Sequence, residues 1–156
     1  MATQQPIQIL LVEDNPADAR LAREAFREAG IAASIDWVGD GEQAVAYLRK
    51  EGSYASVCKP DFVLLDLNLP RRNGREALAD IRQIPELKDL PVFILTTSAA
   101  EQDILKAYAL NANCYFIKPM DLDEFVRLAG AMARFWRRIL APQAASIWAG
   151  AEASSS

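Results

Sequence analysis

The chain has 156 residues, of which 51% are hydrophobic and 24% are charged, and its formal net charge is −4. This length and hydrophobic fraction fit one domain with a packed core and a short extension, and they exclude a disordered chain. The acidic balance argues against a nucleic-acid partner, which needs a basic face. The sequence contains no histidine, so the chain cannot itself carry phosphohistidine, and Cys58 and Cys114 alone form no metal-site spacing.

The two ends of the chain carry no membrane or secretion pattern. The first six residues lack the basic and apolar regions of a signal peptide, and no apolar run reaches the ~18 residues of a membrane span. We therefore expect a cytoplasmic protein without a membrane partner. Three arginines, Arg134, Arg137 and Arg138, are the one local candidate for a polyanion contact, but the solvated face of a helix explains them better.

Short apolar runs alternate with amphipathic stretches along the whole chain. The first run is followed by Asn15 and Pro16, a capping residue and a helix-starting proline, and Gly30 ends the helix that they begin. The same succession then repeats, and the third apolar run leads directly into Asp66. Predicted strands cover residues 7–12, 34–38, 62–65, 91–95 and 114–117, and predicted helices cover residues 16–29, 41–50, 75–84, 101–110 and 121–140.

Five strand-then-helix units with short connections predict an α/β fold. Right-handed crossovers give a doubly wound five-stranded parallel sheet, a flavodoxin-like (βα)5 arrangement with strand order 2-1-3-4-5. An eight-fold barrel would need roughly 250 residues and is excluded. We expect the domain to span residues 1–140 and a C-terminal extension or arm to span residues 141–156.

The carboxyl ends of the predicted strands carry the residues that can do chemistry. Ligands of parallel α/β sheets bind beyond these ends, so polar side chains there are candidates for a site. The residues found at this edge are Glu13, Asp14, Asp66, Thr96 and Lys118.

This set of side chains suits phosphoryl transfer. Three adjacent carboxylates repel one another and need a cation, and oxygen ligands without histidine or cysteine favour a hard ion, of which Mg²⁺ is the usual one. A carboxylate such as Asp66 can act as a nucleophile and form an aspartyl phosphate. Lys118 could neutralise the phosphoryl oxygens, and Thr96 could donate a hydrogen bond to them.

Each residue also has an ordinary structural explanation when it is taken alone. Asp14 and Thr96 could cap the helices that follow them, and Lys118 could be a solvated loop charge. Asp66 is harder to explain in this way, because it follows four apolar residues of a central strand, where an unpaired carboxylate is costly. The combination of all four favours a functional site.

The chain resembles the receiver domains of bacterial two-component response regulators. The resemblance rests on residues 11–15 (LVEDN), 64–70 (LLDLNLP), 73–74 (NG), 94–98 (ILTTS) and 115–119 (YFIKP), and it extends over residues 7–138. One departure is Asn73, where receivers commonly have an acidic residue; both types suit a turn, so we expect no change of function.

The resemblance implies a role for each matching residue. Asp66 would be the phosphoacceptor, and Lys118 would pair with a phosphoryl oxygen. Thr96 and Tyr115 would be the switch residues that move after phosphorylation. The Mg²⁺ ligands would be Glu13, Asp14, Asp66 and the backbone carbonyl of Asn68.

A narrower resemblance concerns the partner. Residues 13–20 (EDNPADAR), 69–76 (LPRRNGRE) and 112–115 (ANCY) are similar to stand-alone response regulators that partner phytochrome-type histidine kinases. The expected phosphodonor is therefore a sensor histidine kinase, with a phytochrome photoreceptor as the candidate. Phosphorylation would shift the face formed by the fourth predicted helix, the fifth strand and the last helix, and the output would be a protein contact.

The last predicted helix suggests a homodimer. It carries two apolar stripes, and a surface helix needs only one of them to cover the core. We expect the first stripe, which contains Val126, Ala129, Ala133 and Trp136, to face inward. The second would then be a partner surface together with the arm, although the arm could instead fold back over it. The dimer candidates are Leu128, Met132, Phe135, Ile139 and Trp148.

Three other functions are compatible with parts of the pattern. A phosphatase of the haloacid-dehalogenase type also uses a strand-end aspartate, but it needs a second acid where this chain has Asn68. A flavin carrier of the same fold needs a Ser-, Thr- and Gly-rich loop after the first strand, where this chain has acidic residues. A degenerate receiver, which binds partners without phosphorylation, would not need the full set of site residues.

Overall fold

In a computed structural model that describes residues 6–67, 74–97 and 114–142, five parallel strands form a single sheet. Numbered along the chain, the strands lie in the order 2-1-3-4-5, which confirms the predicted order. The first, third and fourth strands along the chain are largely apolar and almost completely buried, as in a sheet that is covered on both faces, whereas the second, at the sheet edge, is mostly exposed or partly buried. The strands are β1 (Ile7–Val12), β2 (Ala33–Val38), β3 (Phe62–Asp66), β4 (Val92–Thr96) and β5 (Cys114–Ile117).

Three of the described α-helices begin at a capping residue in the connection that follows a strand. The side chain of Asn15 accepts hydrogen bonds from the backbone of α1, and Asp40 and Asp121 cap the next helix and the last one in the same way. The helices are α1 (Pro16–Glu28), α2 (Gly41–Leu48), α3 (Gly74–Gln83) and α4 (Leu122–Phe135), and a π-helical turn (Trp136–Leu140) follows α4. The helix predicted over residues 101–110 lies outside the described residues.

Alternation along the strands divides the core into two layers. One layer contains Leu10, Val63 and Ile94 and packs under α2 and α3. The other contains Leu11, Leu64 and Phe93 and packs under α1 and α4. Successive side chains of a strand point to opposite faces, so each strand supplies both layers, and Asp66 continues the α1-side series of Phe62 and Leu64.

The orientation of α4 differs from the prediction. Met132 was expected on an outward stripe, but it is 0% exposed and lies in the α1-side core with Phe125 and Ala129. Leu128 and Phe135 are partly buried and pack against the same core. The helix is rotated so that its two apolar stripes merge into one wide inward face, because Phe125 anchors it. The side chain of Ile139 and all of Trp148 lie outside the described residues.

No helix within the described ranges has the length and apolar character needed to cross a bilayer. The π-helical turn continues as helix through residues 141 and 142, across the predicted domain boundary at residue 140. The role of residues 141–156 as an arm stays a prediction.

Candidate phosphoryl-transfer site

Backbone hydrogen bonds hold the carboxyl ends of the strands side by side. The N–H of Glu13 donates to the carbonyl of Val38 at 3.1 Å, and the N–H of Lys118 donates to the carbonyl of Thr96 at 2.8 Å. Asp66 is the last residue of β3 and pairs in register with Leu95 of β4. The polar residues that follow the apolar runs therefore meet at one edge of the sheet, as the sequence predicts.

Three carboxylates at this edge come close enough to share a cation. One oxygen each of Glu13, Asp14 and Asp66 lies within 4.8 Å of the others. Glu13 and Asp66 are only 2% exposed, whereas Asp14 is exposed to solvent. All three groups offer oxygen as the ligand atom, which suits a hard divalent ion. Because one of the three is open to solvent, the ion could keep part of its water shell. Asn68, the fourth predicted ligand, lies outside the described residues.

Lys118 neutralises part of this negative charge. Its ammonium nitrogen Nζ lies 2.8 Å from Asp66 Oδ2, 2.9 Å from Glu13 Oε2 and 3.0 Å from Asp18 Oδ2. The proximity of Lys118 to Asp66 agrees with the prediction from the sequence. The contact with Asp18, in the first turn of α1, is not predicted from the sequence, because it depends on how α1 packs against the sheet.

The pKa values of two groups reflect this crowding. Burial, together with hydrogen bonding to Asp66 and the charge of Asp66, raises the pKa of Glu13 to about 7, although Lys118 acts in the opposite direction. Burial alone would lower the pKa of Lys118, but its hydrogen bonds to Asp66, Glu13 and Asp18 raise it above its usual value. Lys118 is therefore charged, and without a metal ion Glu13 titrates near neutral pH.

Glu13 is held in place by two contacts beyond Lys118. Its side-chain Oε1 accepts a hydrogen bond from the backbone N–H of Asn15 at 3.1 Å. Its backbone carbonyl accepts one from the indole Nε1 of Trp37 at 2.6 Å. Trp37 was not singled out from the sequence, because its position beside Glu13 depends on the pairing of β1 with β2. These bonds fix the first carboxylate of the cluster before any ion binds.

The two predicted switch residues lie on the other face of the sheet edge. Thr96 is fully buried at the end of β4 and continues the alternation of Val92 and Ile94. Tyr115 pairs in register with Ile94 and packs, partly buried, against the same core layer. The side chains of Thr96 and Tyr115 thus belong to one face of neighbouring strands, two residues apart along the sheet.

Comparison with known proteins agrees with this geometry. Residues 9–129 match the response regulator receiver domain family. The response regulator Rcp1 of Synechocystis sp. is 42% identical over 131 residues, which cover 84% of this chain and 89% of Rcp1.

Two solved structures have the same fold over most of the chain. The crystal structure of the phosphorylated cyanobacterial phytochrome response regulator RcpA is 44% identical, with a TM-score of 0.77 over 86% of this chain and 96% of RcpA. The Mn²⁺-bound form of Rcp1 is 41% identical, with a TM-score of 0.74 and the same coverage of 86% and 96%. The chain therefore belongs to the response regulator receiver domain family of two-component signalling.

Proposed function

We propose that Asp66 accepts a phosphoryl group from the phosphohistidine of a sensor histidine kinase. The observation that carries this proposal is the position of Asp66 at the end of the central strand β3, next to two further carboxylates and 2.8 Å from the Lys118 ammonium. A carboxylate oxygen of Asp66 would attack phosphorus, and the bond from phosphorus to the imidazole nitrogen would break. The nitrogen keeps the electron pair, and the imidazole ring takes up a proton.

Glu13, Asp14 and Asp66 would hold Mg²⁺, which when bound supplies positive charge to the phosphoryl oxygens. The Mn²⁺-bound form of the relative Rcp1 supports a divalent ion at this cluster, and Mg²⁺ is the physiological candidate. The Lys118 ammonium would neutralise the negative charge of one phosphoryl oxygen. We propose a phosphoacceptor and not a turnover enzyme, because a phosphatase that uses such an aspartate needs a second acid two residues later, where this chain has Asn68.

The signal would pass through Thr96 and Tyr115. A phosphoryl group adds charge and three strong hydrogen-bond acceptors at Asp66. The buried hydroxyl of Thr96 on the neighbouring strand is a candidate donor on the α2 and α3 side of the sheet edge. Its movement would vacate space beside Ile94, into which the ring of Tyr115 can rotate. Phosphorylation would thereby shift the population toward a second conformation of the surface around Tyr115.

The partner we propose is a phytochrome-type histidine kinase in the cytoplasm. This rests on the relatives RcpA, which is described as a phytochrome response regulator, and Rcp1, both of which match most of this chain. We also propose a homodimer through the C-terminal part of the chain. The exposed apolar residues Ile117, at the end of β5, and Met120, just before α4, are candidates for its surface, and Leu128 and Phe135 remain candidates at its margin. Light scattering with and without a phosphoryl mimic would test the dimer.

The central experiment uses acetyl phosphate and Mg²⁺ as phosphodonor and cofactor. Intact-mass analysis should show the addition of one phosphoryl group to the wild type and none to Asp66→Asn. Glu13→Gln should accept the group only at higher Mg²⁺ concentration. The same label on Asp66→Asn, or labelling of the wild type that is undiminished in EDTA, would overturn the proposal.

A further inference from the structure

Lys118 has a third carboxylate partner outside the predicted metal cluster. An ammonium group has three N–H donors, and the three carboxylates within 3.0 Å of Lys118 Nζ, those of Asp66, Glu13 and Asp18, use all of them. Asp18 differs from the other two because it comes from helix α1 and is the most accessible, with 36% of its side chain exposed. Lys118 therefore has no donor left for a phosphoryl oxygen until one of these bonds breaks.

The needs of helix α1 do not account for this contact. An acidic residue in the first turn of a helix is favoured by the helix dipole wherever its side chain points. The first backbone N–H groups of α1 are already capped, since the Asn15 side chain accepts from Ala17 and Asp18. The Asp18 carboxylate instead reaches across the sheet edge to Lys118 at the end of β5.

We propose that Asp18 is a positioning residue that restrains Lys118 and thereby slows phosphorylation of Asp66. This rests on the proposed function. When an Asp66 oxygen attacks the phosphorus of acetyl phosphate, the bond to the acetate oxygen breaks, and acetate leaves with the electron pair without any proton transfer. The arriving phosphoryl oxygens need an N–H donor from Lys118. Release of the bond to Asp18 would free one without leaving a buried carboxylate unpaired, because Asp18 is partly exposed to solvent. Asp18 also adds a negative charge that repels the anionic donor.

Asp18→Asn tests the proposal, because it keeps the shape of the side chain and removes its charge. At saturating Mg²⁺ and subsaturating acetyl phosphate, we expect Asp66 of Asp18→Asn to be phosphorylated about two- to fivefold faster than that of the wild type. This fold-change corresponds to the free energy of a partly exposed ion pair. Glu28→Gln is the matched control, since it removes one charge from the other end of the same helix and should leave the rate unchanged. Equal rates for Asp18→Asn and wild type would overturn the inference.

The phosphorylation rate at high salt distinguishes restraint of Lys118 by Asp18 from a general repulsion between the protein and the anionic phosphodonor. At 1 M ionic strength the screening length falls to about 3 Å, so an effect of net charge disappears while a direct contact persists. The acceleration by Asp18→Asn should therefore survive at high salt, and its loss there would contradict the role in positioning Lys118. If the wild type itself takes no label on Asp66, the proposed function fails; if the wild type is labelled and Asp18→Asn behaves like it, only this inference fails.

Discussion

Glu13 Oε2 and Lys118 Nζ lie 2.9 Å apart at the end of the sheet, and both side chains are largely shielded from water. The same ammonium also contacts Asp66, so one cation serves two buried carboxylates. A buried carboxylate that loses its partner is costly, since little solvent remains to replace the lost interaction. Lys118 therefore stabilises the metal-free protein as well as preparing the site for phosphorylation.

Replacement of Lys118 should expose this dual role. We expect Lys118→Met to lower the free energy of unfolding by about 2–4 kcal/mol in EDTA, because Glu13 and Asp66 then face each other without a cation. Mg²⁺ should recover much of the loss and should raise the melting temperature more in the variant than in the wild type, since the ion binds only the folded state. Lys59→Met, at an exposed lysine, is the control. Urea unfolding that shows no difference from wild type in EDTA would contradict the expectation.

The raised pKa of Glu13 predicts how stability depends on pH without metal. Between pH 4.5 and about 7 the folded protein holds a proton on Glu13 that the unfolded chain has already released. The folded state therefore binds more protons, and the contribution of this group to stability falls as the pH rises through that window. Glu13→Gln removes the titration, so its stability relative to wild type should improve by about 1–3 kcal/mol from pH 5 to pH 8 in EDTA.

Urea unfolding of Glu13→Gln and wild type at pH 5 and pH 8 measures this difference directly. Glu42→Gln, at an exposed glutamate in α2, should show no comparable change between the two pH values. Excess Mg²⁺ at pH 8 should stabilise the wild type more than the variant, because the variant lacks the Glu13 carboxylate that would bind the ion. A stability difference that stays constant with pH would show that Glu13 is already ionised at pH 5.

Strand-end residues could be predicted from the sequence, and residues that reach the site from other elements could not. Glu13, Asp66 and Thr96 each follow or end an apolar run, and the carboxyl ends of parallel strands share one edge, so their positions follow from the order of the elements. Asp18 and Trp37 reach the site through the packing of α1 and the pairing of β2 with β1. Their contacts depend on rotations and registers that a list of apolar positions does not determine.

The face of α4 that packs against the sheet could not be predicted from the sequence either. Both of its stripes are apolar, so a period of 3.6 residues alone does not say which one faces the sheet. Phe125 decides the outcome, because its ring lies buried among α1-side residues and brings Ala129 and Met132 inward with it. Phe125 belongs to neither of the two predicted stripes, and the assignment of Met132 to the outer surface was wrong as a result.

Truncation of Met132 should therefore affect folding of the single chain. Met132→Ala removes a fully buried side chain between α4 and the sheet, and we expect it to lower the free energy of unfolding by about 2–5 kcal/mol. Arg127→Ala, at an exposed position of the same helix, should change it by less than about 0.5 kcal/mol. The loss for Met132→Ala should be the same at all protein concentrations. A loss that grows on dilution would instead place Met132 at a contact between two chains.

Tyr47 of α2 should resist ionisation at high pH. Burial of its ring and its hydrogen bond to the carboxylate of Asp36 on β2 raise the pKa of the phenol well above its usual value of 10. The hydrogen-bonded neutral phenol stabilises the fold below the pKa of an unfolded tyrosine, and this contribution is lost as the pH rises from that value through the higher folded one. Ultraviolet difference titration should therefore give wild type and Tyr47→Phe the same absorbance rise up to about pH 11.

The chain has four tyrosines, so an ordinary Tyr47 would remove about a quarter of that rise when it is replaced. Asp36→Asn provides the matched test of cause, because it keeps a hydrogen-bond acceptor beside the phenol but removes the negative charge that opposes its ionisation. Tyr47 should then titrate at lower pH than in the wild type while remaining buried. If Asp36→Asn leaves the titration curve unchanged, burial of the ring alone accounts for the raised pKa, and the bond between α2 and β2 adds nothing to it.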